Sequence, residues 1–155
     1  MDEPRPLEES PEILVRPLTP SDLEDIIRID AAIIGRPRRD YYRLKLAAAI
    51  NESSVHMSLG AELDGMLVGF LFGSLFYGDF GMPEPVATLD AVGVRSDCAR
   101  RGVATALWQE FTSKLRALRV DRIRTQVSWN NWELMTFFRK VGFTPGPQIC
   151  LDCAL

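Results

Sequence analysis

The stretch LDAVGVRSDCARRGVATAL, residues 89–107, decides how the rest of the chain is read. An apolar strand over 86–94 runs into a short basic turn, and a helix opens at Gly102. Backbone N–H groups at a helix start have no intrahelical partner, and the helix dipole places roughly half a positive charge there. Gly102 and Ala104 lack bulk, so a phosphate can approach those N–H groups closely, while Arg100 and Arg101 add fixed charge. On physical grounds this is a pyrophosphate site, although taken alone the turn also reads as an ordinary basic helix start. It is not GxxxxGK(S/T), which excludes a nucleotide-hydrolysing P-loop. It also lacks GxGxxG with a following ribose-binding acid, which argues against a dinucleotide cofactor.

Working outward, the downstream pattern is strand then helix. Val103, Leu107, Phe111, Leu115 and Leu118 recur at spacings of four or three, which predicts a helix over 102–118. A strand follows over 120–129, then a helix over 131–141 in which Leu134, Phe137, Phe138 and Val141 form a buried stripe. Gly142 ends it, and two short terminal strands are expected around Pro145-Gly146-Pro147.

Upstream, residues 12–18 read as a first strand. Thr19-Pro20-Ser21-Asp22 is a helix start, with Leu23, Ile26 and Ile27 on one face. Gly35-Arg36-Pro37 breaks that helix, and a second runs from about 38 to 50. Strands over 55–63 and 66–77 are joined by Asp64-Gly65, a strong hairpin signal. A loop over 78–85 leads into the strand over 86–94, whose apolar run implies burial on both faces. The order is β-α-α-β-β-β-α-β-α-β-β. It predicts one α/β domain over 12–155: a mixed, mostly antiparallel central sheet of six to seven strands with helices on both faces.

Composition narrows the function classes. The chain has 155 residues, a hydrophobic fraction of 46% and a charged fraction of 25%, ordinary for a globular domain. A formal net charge of −3 gives no general drive toward nucleic acid or an anionic membrane, so neither is expected as a partner. The basic run Lys114, Arg116, Arg119, Arg122 and Arg124 is spread over a helix end, a turn and a strand, and reads as solvated. Residues 1–11 are rich in Asp, Glu and Pro. They are expected to be a disordered acidic lead-in without a secretory signal. Three cysteines, Cys98, Cys150 and Cys153, fit a reducing compartment, hence a cytoplasmic location. Cys150 and Cys153 have CxxC spacing but are expected as buried or half-buried strand residues, and no metal site is expected around them or His56.

Residues 99–104, Ala-Arg-Arg-Gly-Val-Ala, resemble the acetyl-CoA signature (Q/R)xxGx(G/A) of the GNAT superfamily of N-acetyltransferases. Ala99 departs at the first position. Residues 131–143, NWELMTFFRKVGF, resemble that family's second motif, NxxAxxxYxxxGF, with Asn131 eleven residues before Gly142. The resemblance covers nearly all of 12–155. It implies that the cofactor's pantetheine arm pairs with the fourth strand at Val92 and Val94. Arg100, Arg101, Gly102, Val103, Ala104 and Thr105 would hold the pyrophosphate, with Asn131 and Phe138 along the pantetheine arm. An amine would attack the thioester directly, and Cys98, in the phosphate turn, would not be a nucleophile. A homodimer through the later strands is common in such proteins.

The family often places a Tyr at position 138 as the acid for the leaving thiolate, and here it is Phe138. A water, or a hydroxyl of Tyr77, Tyr41 or Ser128, would serve instead. Asp90, a carboxylate inside an apolar strand, is the expected catalytic base; its other reading is an ion pair with Arg124 or Arg122 on the neighbouring strand. Tyr41, Tyr77 and Asp79 lie where the acceptor is expected, and either a small molecule or a protein could present the amine. Trp129 and Trp132 either border the cofactor or cover apolar surface. The departures at Ala99 and Phe138 also leave a second class of function: a fold of this family that binds acetyl-CoA as a sensor without turnover.

Overall fold

The computed structural model describes residues 12–51, 57–77, 81 and 83–155. They divide into two compact units, one ending at Thr125 and the other spanning Gln126–Leu155.

The first unit is built on one sheet of five strands in chain order: β1 (Leu14–Pro17), β2 (Leu59–Leu63), β3 (Met66–Phe76), β4 (Val86–Val94) and β5 (Ile123–Thr125). The first three pairings are antiparallel and β4–β5 is parallel, joined through helix α3 (Val103–Ala117). Helices α1 (Leu23–Ile34) and α2 (Arg39–Asn51) precede β2. The Asp64-Gly65 turn works as expected, both residues taking positive φ (51° and 77°) to reverse the chain.

Alternation along β3 divides the core. Phe70 and Phe72 point to one face and pack with Tyr42, Ile26, Ile29 and Leu46 of α1 and α2. Gly69 and Gly73 point to the other, where α3 lies so close that an added Cβ at Gly69 would stand 2.7 Å from Val103 Cγ1. The α3 stripe Val103, Leu107, Phe111 and Leu115 is buried as its spacing predicts. That helix ends with Arg119 in the left-handed region (φ 58°). Its N–H bonds to the Arg116 carbonyl, and the Val120 N–H bonds to that of Leu115, with both Leu115 and Val120 buried.

Two polar clusters pin α1 and α2. Arg16 of β1 donates to both Asp22 oxygens and to Glu62, while Asp22 also accepts from the Thr19 N–H at the helix entry. Burial works to raise the Asp22 proton affinity, but the bonds from Arg16 and Thr19 outweigh it and hold the carboxyl below the usual carboxylate range. Buried Asp30 accepts from Arg38 (2.6 and 2.8 Å) and from the Tyr42 hydroxyl (2.8 Å), so the break between α1 and α2 at Gly35 is spanned by a charged clasp. Burial, then Asp30, pushes the Tyr42 phenol far up.

The second unit contains α4 (Trp132–Lys140). Asn131 caps it by accepting the Leu134 N–H at 3.1 Å. At the other end Gly142 (φ 102°) donates to the Arg139 carbonyl and Phe143 to that of Phe138, and the two rings meet at 4.9 Å. This closing pattern needs glycine at 142 and apolar residues at 138 and 143, which is why Gly-Phe follows the helix.

Several expectations need correction. The sheet has five strands among the described residues instead of six to seven. The expected strand over 120–129 shrinks to Ile123–Thr125, because its ladder with β4 covers only Ala87–Leu89. No strand forms over 143–155, where Pro145 and Pro147 each remove a ladder donor. Cys150 and Cys153 are accordingly exposed, not packed in a strand. The expected strand over 55–63 begins at Leu59, and His56 lies outside the described residues. In α4 only Phe138 is buried, while Leu134, Phe137 and Val141 are half-buried. β4 is buried on both faces only near its start; Ala91, Val92 and Val94 are half-buried.

Candidate active site

The second half of β4, the turn behind it and the start of α3 hold Asp90, Val92, Val94 and residues 100–105, the larger part of those singled out by the sequence. β4 contains a bulge: Phe72 pairs with Ala91 and the adjacent Gly73 with Leu89, leaving Asp90 as the extra residue. Below the bulge, Ala87 donates its N–H to the carbonyl of Arg122, just before β5, and Leu89 accepts from the Thr125 hydroxyl. Above it, the Arg95 N–H donates to the Val68 carbonyl on β3. By alternation, Gly93 and Ala91 also face β3, and the N–H and C=O groups of Val92 and Val94 point the other way. The β4–β5 ladder has ended at Leu89–Thr125, so those edge groups have no strand partner among the described residues.

The turn after β4 places Arg100 (φ 62°) and Gly102 (φ 83°) in the left-handed region. Gly102 precedes α3 with no side-chain cap, and the first turn of the helix carries no acidic residue. An added Cβ at Gly102 would meet nothing within 4 Å, so its dihedral, not crowding, demands glycine. The α3 start thus presents main-chain N–H groups that no side chain of the turn satisfies, with Arg100 and Arg101 exposed beside them. Asp97, the acid in this turn, is neutralised by the Arg95 guanidinium (Nε to Oδ1 3.0 Å), which holds its carboxyl below the usual range. Cys98 is buried beneath the turn; burial and then Asp97 push its thiol up, away from thiolate chemistry. These features fit a diphosphate group at the helix start and an amide-bearing arm along the β4 edge.

Asp90 lies on the sheet face beneath α2. Its carboxylate accepts from Lys45 Nζ at 2.6 Å, Ser74 Oγ at 2.9 Å and Thr88 Oγ1 at 2.8 Å. The expectation of a carboxylate sunk in an apolar strand is corrected: the bulge brings it to the sheet surface, where its ion-pair cation comes from α2. Lys45 and Ser74 carried no signal in the sequence beyond Lys45 standing one helical turn after Tyr41, and the bulge that aims Asp90 at them has no sequence signature.

The other expected site residues are spread more widely. Tyr41 is 40% exposed on α2, with the Arg38 guanidinium 5.0 Å over its ring; Tyr77 is exposed at the end of β3. Asp79 lies outside the described residues. In the second unit, the Asn131 side-chain oxygen is engaged by its helix, Phe138 is buried against Phe137 and Phe143, and Trp129 and Trp132 are exposed.

Comparison with known proteins agrees with this geometry. Among solved structures, the aminoglycoside N-acetyltransferase AAC(6')-Iy in complex with CoA superposes with a TM-score of 0.77 at 16% identity, covering 96% of this chain and 98% of its own. The ribosomal-protein-alanine N-acetyltransferase of Brucella melitensis biovar Abortus 2308 gives 0.72 at 16% identity, with 93% and 100% covered. Ard1 from Thermoplasma volcanium gives 0.71 at 26% identity, with 85% and 82% covered. No curated protein sequence matches the chain. No helix among the described residues is long and apolar enough to cross a membrane. The family model for the GNAT acetyltransferases matches residues 22–143, about four-fifths of the chain, and the chain belongs to that family.

Proposed function

We propose that this protein transfers an acetyl group from acetyl-CoA to a primary amine of a small molecule or protein, by direct attack within a ternary complex. The observation that carries the reading is the join of β4 to α3: a strand edge with no strand partner among the described residues leads into two left-handed residues and a helix start with no side-chain cap and no acid in its first turn. In this reading Arg100, Arg101, Gly102, Val103, Ala104 and Thr105 hold the pyrophosphate. Val92 and Val94 offer main-chain groups to the pantetheine arm. The family resemblance assigns Asn131 and Phe138 to the cofactor as well; Asn131 keeps an amide nitrogen to donate while its oxygen caps α4, and the Phe138 ring is taken up by its packing with Phe137 and Phe143. Asp90 receives the acceptor's ammonium, and Tyr41, Tyr77 and Asp79 are kept from the sequence as further acceptor-binding candidates. A thiolate with the usual pKa of about 8.5 leaves without a strong acid, so Phe138 in place of a tyrosine is compatible with turnover. The related structures named above act on an aminoglycoside and on a ribosomal protein, which supports an amine acceptor of either kind. Three free thiols favour a reducing, cytoplasmic setting.

The test is calorimetric titration with acetyl-CoA of the wild type and of Gly102→Glu, whose side chain brings bulk and negative charge into the turn. Micromolar binding by the wild type, lost in the variant, is the expected result. Thiol release across a panel of aminoglycosides and peptide N-termini then identifies the acceptor. Binding without release on any amine would favour an acetyl-CoA sensor, and absence of binding would defeat both readings.

A further inference from the structure

Lys45 is a primary ammonium held 2.6 Å from the carboxylate that the proposed function assigns to the acceptor's ammonium. It is not a free surface lysine: its side chain is 27% exposed, and Asp90 also draws on Ser74 and Thr88. Arg124, opposite Thr88 in the β5 register, adds a second cation on the same face. The distance along the strand matters too. Val94 to Asp90 is four residues, about 13 Å of extended chain. An arm laid along the β4 edge from the phosphate turn therefore reaches the level of Asp90, where Lys45 stands.

We infer that Lys45 is an internal acceptor: with acetyl-CoA bound and no external amine present, the protein acetylates its own Lys45. This rests on the acetyl-transfer reading. In the step, the Lys45 ammonium loses one proton to solvent and the neutral Nζ bonds to the thioester carbonyl carbon. The C–S bond breaks with its electron pair on sulfur, and the second proton lost from nitrogen ends on the CoA thiol. The net change is ammonium plus thioester to amide, thiol and one released proton. The product amide carries no charge, so Asp90 loses its built-in counter-ion and is left to an incoming cationic acceptor. Lys45 thus fills the acceptor position until it is modified or displaced.

The chain has two other lysines, Lys114, paired with Glu110 at 3.5 Å, and Lys140, exposed near the end of α4. They serve as internal references. The protein is incubated with acetyl-CoA at mildly alkaline pH, digested, and the three sites are quantified by mass spectrometry. The expected result is acetylation of Lys45 at least about tenfold faster than at Lys114 or Lys140, as positioning beside a bound donor requires. That excess should vanish in Gly102→Glu, which keeps Lys45 but blocks the turn. A second labelling, with acetic anhydride and no acetyl-CoA, separates an acceptor site from simple reactivity. In Asp90→Asn the anhydride should label Lys45 faster, because its tether is gone, while acetyl-CoA should label it more slowly, because it is no longer positioned. Acetyl-CoA binding with equal rates at the three lysines, or a Lys45 excess that persists in Gly102→Glu, overturns the inference and leaves the proposed function standing. Failure to bind acetyl-CoA removes both.

Discussion

Replacing Gly73 by alanine should destabilise the first unit, although in a strand the change removes a flexible residue and would ordinarily help. The backbone there is not in the left-handed region, so the argument is one of space. An alanine Cβ would stand 2.8 Å from Phe111 Cζ, closer still to Cε2, and 3.3 Å from the Thr88 carbonyl oxygen. The ring cannot retreat easily: Phe111 is fully buried and its centroid lies 6.2 Å from that of Trp108. Overpacking of this kind costs about 1–3 kcal/mol, and the lost freedom of glycine in the unfolded chain offsets roughly 0.4–1 kcal/mol. The net is a loss of about 1–2 kcal/mol, which at a urea slope of about 2 kcal/mol/M lowers the midpoint by about 0.5–1 M. Urea titration followed by tryptophan fluorescence measures it. Gly146→Ala, where a Cβ meets nothing within 4 Å, is the control and should stay within about 0.5 kcal/mol of wild type. Combining Gly73→Ala with Phe111→Leu should cost less than the sum of the single changes, by about 1 kcal/mol, since the two compete for one space. A Gly73→Ala midpoint at or above wild type, or strict additivity in the pair, would refute the claim that the close approach of α3 fixes this residue.

Asp22 is held below the ordinary carboxylate range, so its contribution to stability is present above the unfolded value of about 3.9 and disappears as pH falls through the lower folded value. Asp22→Asn should therefore be less stable than wild type at neutral pH and show a flatter acid limb below about pH 4; a parallel limb in pH-dependent thermal melts would sink this account. With Cys98 buried and Cys150 and Cys153 exposed, a thiol reagent should modify two cysteines quickly in the native protein and the third only on unfolding. Fast labelling of Cys98 would show that the turn above it opens.

The sequence disclosed elements wherever local chemistry and burial agree. β4 is found at the bounds its apolar run predicts, and α3 is placed to within a residue by its stripe and Gly102. Asn131 and Gly142 mark α4 because caps act within one turn of the helix. The first helix entry was legible for the same reason: Thr19 and Asp22 satisfy each other locally. What escaped was non-local. The length of β5 depends on how far β4 stays beside it, which no property of residues 120–129 encodes. Asp90 was visible as an odd carboxylate, but its partner arrives from 45 residues earlier along a helix whose rotation only packing sets. The terminal segment shows the opposite failure: its apolar residues read as strands, yet Ile149 and Leu151 are more than 80% exposed and no ladder forms around the two prolines.

The extra residue in β4 acts as a change of phase along one strand. Before it, odd-numbered residues turn their main-chain groups toward β5; after it, even-numbered ones turn that way. The lower half of the strand can therefore be tuned for sheet stability while the upper half keeps its own parity toward whatever lies along its edge. Deleting Asp90 would do more than remove a carboxylate. It would bring the two halves back into step, with Leu89 and Ala91 as adjacent partners of Gly73 and Phe72, and leave the main-chain groups of Val92 and Val94 along the edge, so a deletion here would separate the edge from the carboxylate in a way that no shift of the whole strand can.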